Sequence, residues 1–171
     1  MLARACLYVL IFYSATVSAQ VIPSHFKSVS HTTLSILWFD IYKAELFTPA
    51  GIYNGFEGPL ILKLNYLRNI SQDDLLSETK KNILKFTKQP QAALWLKKLK
   101  AIWPAIEKGD QLAFWIDVQG AGHFFFNDRW IGSIDNPAFS SAFVQIWLSK
   151  NSSYPKLAKQ LRGELNNEIS K

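Results

Sequence analysis

Cysteine is almost absent from this sequence. The only one, Cys6, lies in the apolar N-terminal segment, and no cysteine follows it. The rest of the chain therefore cannot form a disulfide framework or a cysteine-ligated metal site. Its stability has to come from a packed core, for which the chain is long enough.

Long apolar runs are also missing. The longest has nine residues, Ala5 to Tyr13, whereas a helix that spans a bilayer needs about 20. This run follows a short basic start that contains Arg4, and the permitted residues of Val17-Ser18-Ala19 follow it in turn. That order is typical of a secretory signal peptide.

We therefore expect residues 1–19 to be removed by cleavage between Ala19 and Gln20. The mature protein would be a single domain over residues 20–171, periplasmic or secreted. Retention of the N-terminal segment as an uncleaved anchor is the alternative.

Catalytic and metal-binding motifs of high specificity are lacking as well. The three histidines, His25, His31 and His123, do not have the spacing of metal ligands. Asp117 and His123 could meet across a hairpin, but no serine stands in the context of a nucleophile elbow. We expect no cofactor and no bound metal.

Acidic residues are scarce where the lysines are densest. Eight lysines occur between residues 80 and 108, opposed there only by Glu107, and the whole chain has a formal net charge of +6. This segment is interpreted either as an attachment site for an anionic membrane surface or as two helices with solvated polar faces. No nucleic-acid recognition motif is present, so no nucleic-acid partner is expected.

Apolar residues make up 49% of the chain, and their spacing predicts secondary structure. Alternation over Thr33 to Phe47 predicts one long strand, and Pro59 to Asn69 a second. Ser71 and Asp74 form a capping-box pattern that begins a helix, and Pro90 breaks this helix or restarts it.

Three short strands follow, over Leu112 to Val118, His123 to Asn127 and Arg129 to Ile134, joined by hairpin turns. Two further helices begin at Pro137 and at Pro155. This order predicts an α+β domain with helices packed on one side of an antiparallel sheet.

Several segments, in their order along the chain, resemble the bacterial chalcone isomerase-like proteins. They are Phe39 to Leu46, Leu64 to Ser71, Trp103-Pro104 with Lys108-Gly109-Asp110, Gly132-Ser133-Ile134, and Phe139 to Leu148. The resemblance covers nearly all of the chain after the N-terminal segment. It implies an open-faced β-sandwich, with an apolar cleft between a large antiparallel sheet and the helices laid on one side of it.

The resemblance also bears on function. Proteins of this fold close a flavonoid ring, as the plant chalcone isomerases do, or bind fatty acids, or have no established chemistry. The arginine and threonine of the true isomerase fall near Ser28 and on Asp40 in this sequence, so neither carries over. Loss of the arginine removes the obvious stabiliser of a phenolate or enolate charge.

Asp40 is the most unusual candidate residue. The alternation places it on an apolar face with Trp38 and Tyr42, where a carboxylate must be paired, hydrogen-bonded or protonated. Either it acts in the cleft as a proton acceptor or ligand anchor, or it forms a buried ion pair for which Arg68 is the nearest candidate.

Arg68 and Tyr66 share one face of the second predicted strand. A guanidinium beside a phenol hydroxyl can hold a carboxylate, and members of the fold that bind fatty acids use an arginine and tyrosine pair. The alternative is that Arg68 emerges at the strand end and meets solvent or Asp40.

These candidates give three functional hypotheses. The first is a non-catalytic binder of a small apolar carboxylate such as a fatty acid, with Arg68 and Tyr66 on the head group and Trp38 and Tyr42 along the tail. The second is an isomerase or intramolecular lyase, with Asp40 as base and Tyr66 as acid. The third is an envelope interaction module that docks through the lysine-rich helices.

Overall fold

The computed structural model describes residues 22–36, 39–56 and 58–165. The predicted signal peptide lies outside these residues. Ten elements follow one another: β1 (Lys27–Ile36), β2 (Phe39–Thr48), β3 (Leu60–Tyr66), α1 (Gln72–Ile83), α2 (Gln89–Ile102), β4 (Gln111–Ile116), β5 (Gly122–Phe126), β6 (Arg129–Ile134), α3 (Pro137–Leu148) and α4 (Pro155–Leu161).

The strands form one antiparallel sheet of six, in which the spatial order is the order along the chain. All four helices contribute to a single core on one face of this sheet. Strand side chains such as Leu62 and Phe124 meet helix side chains such as Trp95 and Phe143 there. The predicted α+β fold, an antiparallel sheet with helices on one side, is confirmed.

The opposite face of the sheet carries a smaller apolar cluster, the outer-face cluster. Phe47, Ile61 and Ala113 are buried in it beneath Phe26, and Ile22 packs against them. No helix residue takes part. The segment before β1 therefore covers this part of the sheet.

Helix ends follow the signals in the sequence. The Ser71 hydroxyl accepts a hydrogen bond from the Asp74 N–H at 3.1 Å, and it donates to the Asp74 carboxylate at 2.6 Å. Pro90 stands in the first turn of α2, where its missing N–H costs nothing because that group would have no helical partner. Pro90 thus restarts a helix.

The prediction of one long strand over Thr33 to Phe47 is wrong. The chain reverses between Ile36 and Phe39, which pair with each other across a β1–β2 hairpin. Neither residue between them is Gly, Pro, Asn or Asp, so the usual signal of a tight turn is missing. The second predicted strand is also shorter than expected, because β3 ends at Tyr66.

Candidate functional site

A cavity of about 110 Å³ lies between the sheet and the helices, where β1, β2 and β3 face α1 and α3. We call it the cleft cavity. Most of its lining is apolar, and the lining residues are Leu34, Ile36, Ile41, Tyr42, Tyr66, Ile70, Asp74, Leu75, Glu78, Thr79, Asn82, Ile146, Trp147 and Tyr154.

A smaller space of about 30 Å³, the inner void, extends further between the sheet and the helices. Tyr66, Leu75, Thr79 and Trp147 line both spaces. These four side chains therefore form the boundary between the cleft cavity and the inner void.

A hydrogen-bonded aromatic pair fixes one wall of the cleft cavity. Trp147 Nε1–H donates to the Tyr42 hydroxyl oxygen at 2.7 Å, and both side chains are buried. Burial raises the pKa of the Tyr42 hydroxyl far above its ordinary value, although the Trp147 hydrogen bond by itself lowers it. Tyr42 therefore stays neutral at any physiological pH.

Tyr66 stands beside this pair, with its ring 5.7 Å from the Tyr42 ring in an edge-to-face arrangement. Burial raises the pKa of the Tyr66 hydroxyl as well, and no hydrogen bond to a described side chain acts on it. Trp103, which lines the inner void, has a buried Nε1–H without a partner among the described residues. Two hydrogen-bond donors that line this apolar space therefore have no acceptor in the described part of the chain.

Polar side chains of α1 line the other side of the cleft cavity, and they are already engaged. The Glu78 carboxylate accepts from Asn82 Nδ2 at 2.8 Å, and Asn82 Oδ1 accepts from the Ser153 hydroxyl at 2.5 Å. The Asp74 carboxylate accepts from Ser71. No lysine or arginine occurs among the described lining residues.

The structure brings two of the five predicted site residues, Tyr42 and Tyr66, together in the cleft cavity. Trp38 lies outside the described residues. The other two, Asp40 and Arg68, are exposed, and neither lines the cavity.

The prediction that Asp40 shares the apolar face with Tyr42 is wrong. Tyr42 pairs with Leu34, but Asp40 pairs with Ser35, so Ile41 is an extra residue that bulges out of the β1–β2 register. Directly opposite residues of neighbouring strands share a face, and a bulge reverses the alternation beyond it. Asp40 therefore points away from the helices with Ser35, whose hydroxyl donates to it at 2.5 Å.

Arg68 does not share a strand face with Tyr66, because β3 has already ended. Its guanidinium carbon lies 5.8 Å from the centre of the exposed Phe39 ring, a cation–π contact. The structure shows no ion pair between Arg68 and Asp40, both of which it describes. The predicted buried ion pair is therefore wrong, and Arg68 has no ion-pair partner among the residues that the structure describes.

Known proteins provide a comparison for this arrangement. Residues 33–163 match the family described as chalcone isomerase-like. The chain belongs to the chalcone isomerase-like family. The resemblance predicted from the ordered segments is confirmed.

This chalcone isomerase-like chain is similar to two known proteins, one in sequence and one in fold. An uncharacterized protein of Haemophilus influenzae is 29% identical to it over 143 residues, which cover 82% of this chain and 70% of the relative. The crystal structure of a fatty-acid binding protein of Arabidopsis thaliana superposes with a TM-score of 0.67, covering 88% of this chain and 93% of the plant protein. The sequence identity with the plant protein is 7%, so this likeness shows the fold alone.

No residue of α1 was among the predicted site residues. Leu75, Glu78, Thr79 and Asn82 all line the cavity, and they recur at the spacing of one helix face. Leu75 and Thr79 belong to the repeat that predicts this helix, so the repeat was a usable signal. Glu78 is charged and Asn82 is polar, and neither was singled out by the sequence.

Asp117 and His123 meet as predicted, but away from the cleft cavity. His123 Nε2 lies 2.8 Å from the Asp117 carboxylate across the β4–β5 hairpin. Among residues 22–36, 39–56 and 58–165, no group of three or more His, Cys, Asp or Glu side chains is placed to hold a metal ion. In the same part of the chain, no helix is long and apolar enough to cross a membrane.

Proposed function

We propose that this chalcone isomerase-like protein is a non-catalytic binder of a small apolar ligand with an acidic head group, such as a fatty acid. The observation that carries the proposal is the cleft cavity, an apolar space lined by Tyr66, whose hydroxyl has no hydrogen-bond partner among the described side chains. A few placed polar groups in an apolar concavity are typical of ligand sites.

The size of the cleft cavity limits how a ligand fits. At about 110 Å³ it is smaller than the roughly 300–1,000 Å³ of most ligand pockets. A ligand would therefore place one part inside and leave the rest at the mouth. Ile36 both lines the cavity and is 42% exposed, so apolar surface continues from the inside to the outside there.

Electrostatics suggests where the head group lies. Asp74 and Glu78 would repel a second carboxylate on the α1 side of the cavity. The sheet side offers the Tyr66 hydroxyl as a donor, and the Arg68 cation stands outside the cavity, exposed beyond the end of β3. We place the head group on this side, as the first of the three hypotheses did.

The isomerase hypothesis receives no such support. It requires Asp40 and Tyr66 to act on one substrate, but Tyr66 lies in the cavity and Asp40 is exposed on the other side of β2. The predicted base and the predicted acid therefore do not share one site.

Native mass spectrometry of the full chain incubated with decanoate tests the proposal. Leu75 and Leu76 are neighbouring, half-buried leucines of α1, but only Leu75 lines the cleft cavity. Leu75→Phe fills the cavity and should abolish decanoate binding, whereas Leu76→Phe should leave it unchanged. Equal decanoate binding by both variants would mean that the cleft cavity is not the binding site.

The head-group assignment needs a second comparison, with decanol as the uncharged ligand. Tyr66→Phe should weaken decanoate binding about ten-fold or more, since a hydrogen bond to a charged group contributes about 1.5–3 kcal/mol. Arg68→Gln should also weaken decanoate binding and leave decanol binding unchanged. Equal losses for both ligands would show that the two residues do not hold the acid group.

We also propose that the protein acts outside the cytoplasm. The support is the order of basic start, apolar run and small residues over positions 1–19. N-terminal sequencing of the protein recovered from its host should find Gln20 first. Met1 in the membrane fraction would indicate the uncleaved anchor instead.

A further inference from the structure

A second concave surface lies between α1 and α2, on the side of these helices away from the sheet. It has a volume of about 550 Å³, and we call it the lysine groove. Half-buried apolar residues from both helices form part of it, among them Leu76, Leu84 and Leu96. It shares no residue with the cleft cavity.

Lysines stand on both walls of this groove. Lys80 is on the α1 wall, and Lys97 and Lys100 are on the α2 wall. Lys100 lies 3.6 Å from Asp73, and both side chains are largely exposed. Lys80 and Lys97 have no ion-pair partner within the described part of the chain. Each helix therefore contributes to this partly apolar groove a lysine that no described carboxylate neutralises, a combination that fits a phosphate-bearing amphiphile.

Apolar surface continues beyond the groove onto the outside of α2. Leu94 is 61% exposed, and Lys97 and Lys98 follow it at the i+3 and i+4 positions, which are its neighbours on the helix surface. An exposed leucine beside lysines is typical of helices that lie in a membrane interface. A small dissolved ligand held in the groove would not account for Leu94.

We propose that the lysine groove and Leu94 dock the protein onto an anionic lipid bilayer, with a lipid phosphate held between Lys80 and Lys97. Leu94 enters the boundary between headgroups and acyl chains. The lysine-rich segment was interpreted from sequence as either a membrane attachment site or a solvated surface, and the lysines that line one groove from two helices, with the exposed leucine, favour the first. This docking does not depend on what the cleft cavity binds.

The test is a vesicle flotation assay with the full chain. Vesicles of phosphatidylglycerol and phosphatidylcholine are compared with vesicles of phosphatidylcholine alone, at low and high salt. The wild-type protein should bind more strongly to the anionic vesicles, and salt should remove this difference. The apolar N-terminal segment is common to all variants, so differences between them report on the lysines.

The charge control uses two lysines on the other face of the sheet. The double variant Lys80→Gln and Lys97→Gln should weaken binding to the anionic vesicles about 30-fold, because it removes the attraction of two surface lysines to the membrane. Lys43→Gln with Lys63→Gln removes the same charge from strands β2 and β3 and should weaken it by less than about five-fold. Leu94→Ser should weaken it about ten-fold. Lys80, Lys97 and Leu94 are exposed, so the unfolding temperature should not change.

Three results would overturn the proposal. Equal losses in the two double variants would mean that net charge alone drives the binding. Equal binding of the wild-type protein to vesicles with and without phosphatidylglycerol would mean that the lysines play no part. Binding of dissolved decyl phosphate that depends on Lys80 and Lys97, without anionic-vesicle binding, would make the groove a site for a soluble amphiphile.

Discussion

At the scale of single residues, the wall of the cleft cavity depends on one buried hydrogen bond. Trp147 Nε1–H and the Tyr42 hydroxyl join α3 to β2 across 105 positions in the sequence. A buried polar group that loses its partner costs about 1–3 kcal/mol, whereas removing both partners can be nearly neutral. The bond therefore positions the wall more than it stabilises the fold.

A double-mutant cycle should show this asymmetry. Trp147→Phe leaves the Tyr42 hydroxyl without its donor and should lower the free energy of unfolding in urea by about 2–4 kcal/mol, from the lost partner and the smaller ring together. In the Tyr42→Phe background the same change should cost about 1 kcal/mol less. Strictly additive losses would mean that the hydrogen bond contributes nothing.

The position of Asp40 shows how one extra residue in a strand changes which face a side chain occupies. The sequence does not alternate strictly here, because Phe39 and Ile41 are apolar at the positions between Trp38, Asp40 and Tyr42. A strand without a bulge would put Asp40 beside Tyr42, but the extra residue Ile41 reverses the face. The consecutive apolar residues Ile41 and Tyr42 are the local trace of this reversal, whose cause is the pairing with β1, a strand whose first half was not predicted.

The consequence is a substitution with almost no effect. Asp40→Asn keeps an acceptor for the Ser35 hydroxyl at an exposed position. The free energy of unfolding should change by less than about 0.5 kcal/mol, and decanoate binding should not change. Tyr66→Phe provides the contrast for ligand binding. A fall of several kcal/mol for Asp40→Asn would restore the idea of a buried carboxylate.

At the scale of elements, the sequence predicts those hairpins whose turns carry the appropriate residues. Asn127 and Asp128 both have positive φ angles, 48° and 62°, as the tight turn between β5 and β6 requires. These two residue types tolerate that conformation best after glycine, so this turn could be read directly. The β1–β2 hairpin has no such residues and could not.

The β4–β5 hairpin is held at its end by Asp117, and this gives a pH dependence. Burial by itself raises the pKa of the Asp117 carboxyl, but hydrogen bonds from His123 and from the N–H groups of Ala121 and Gln119 lower it below the ordinary 3.8. A lowered folded-state pKa contributes stability above the unfolded pKa, and this contribution disappears as the pH falls through the folded-state value.

Asp117→Asn should therefore reduce the loss of stability on acidification. At neutral pH the wild type should have the higher urea midpoint, and the gap between the two proteins should close as the pH falls below about 4. The asparagine oxygen still accepts from the two N–H groups, so the hairpin should persist at every pH. A gap of constant size down to about pH 3 would contradict the assignment.

At the scale of the whole molecule, the candidate site forms only when elements that are distant in the sequence pack together. The cleft cavity takes residues from three strands and from α1 and α3, and Tyr154 closes it from the segment before α4. Tyr42 and Tyr66 could be predicted as site residues from the sequence, because each lies on an apolar strand face. The family resemblance implied an apolar cleft between the sheet and the helices, but not its volume, which depends on how closely the helices approach the sheet.

A substitution in the outer-face cluster can test whether the molecule folds as one unit. Phe26 is 8% exposed above fully buried Ile61 and Ala113, while the helices cover the other face of the same strands. If both faces unfold together, Phe26→Ala should lower the free energy of unfolding by about 3 kcal/mol. Far-UV circular dichroism and tryptophan fluorescence should then give the same midpoint.

Ile52→Ala is the matched control, because Ile52 is apolar but 62% exposed, and its loss should cost less than about 0.5 kcal/mol. Trp115 packs against the outer-face cluster, whereas Trp95 and Trp147 belong to the helix-side core. Fluorescence therefore reports on both faces of the sheet. An unchanged midpoint for Phe26→Ala, or a fluorescence transition that precedes the loss of ellipticity, would mean that the segment before β1 unfolds separately. One shared transition would instead mean that the two faces of the sheet unfold as one cooperative unit. The stability of the cleft cavity would then depend on the outer-face cluster as well as on the helix-side core.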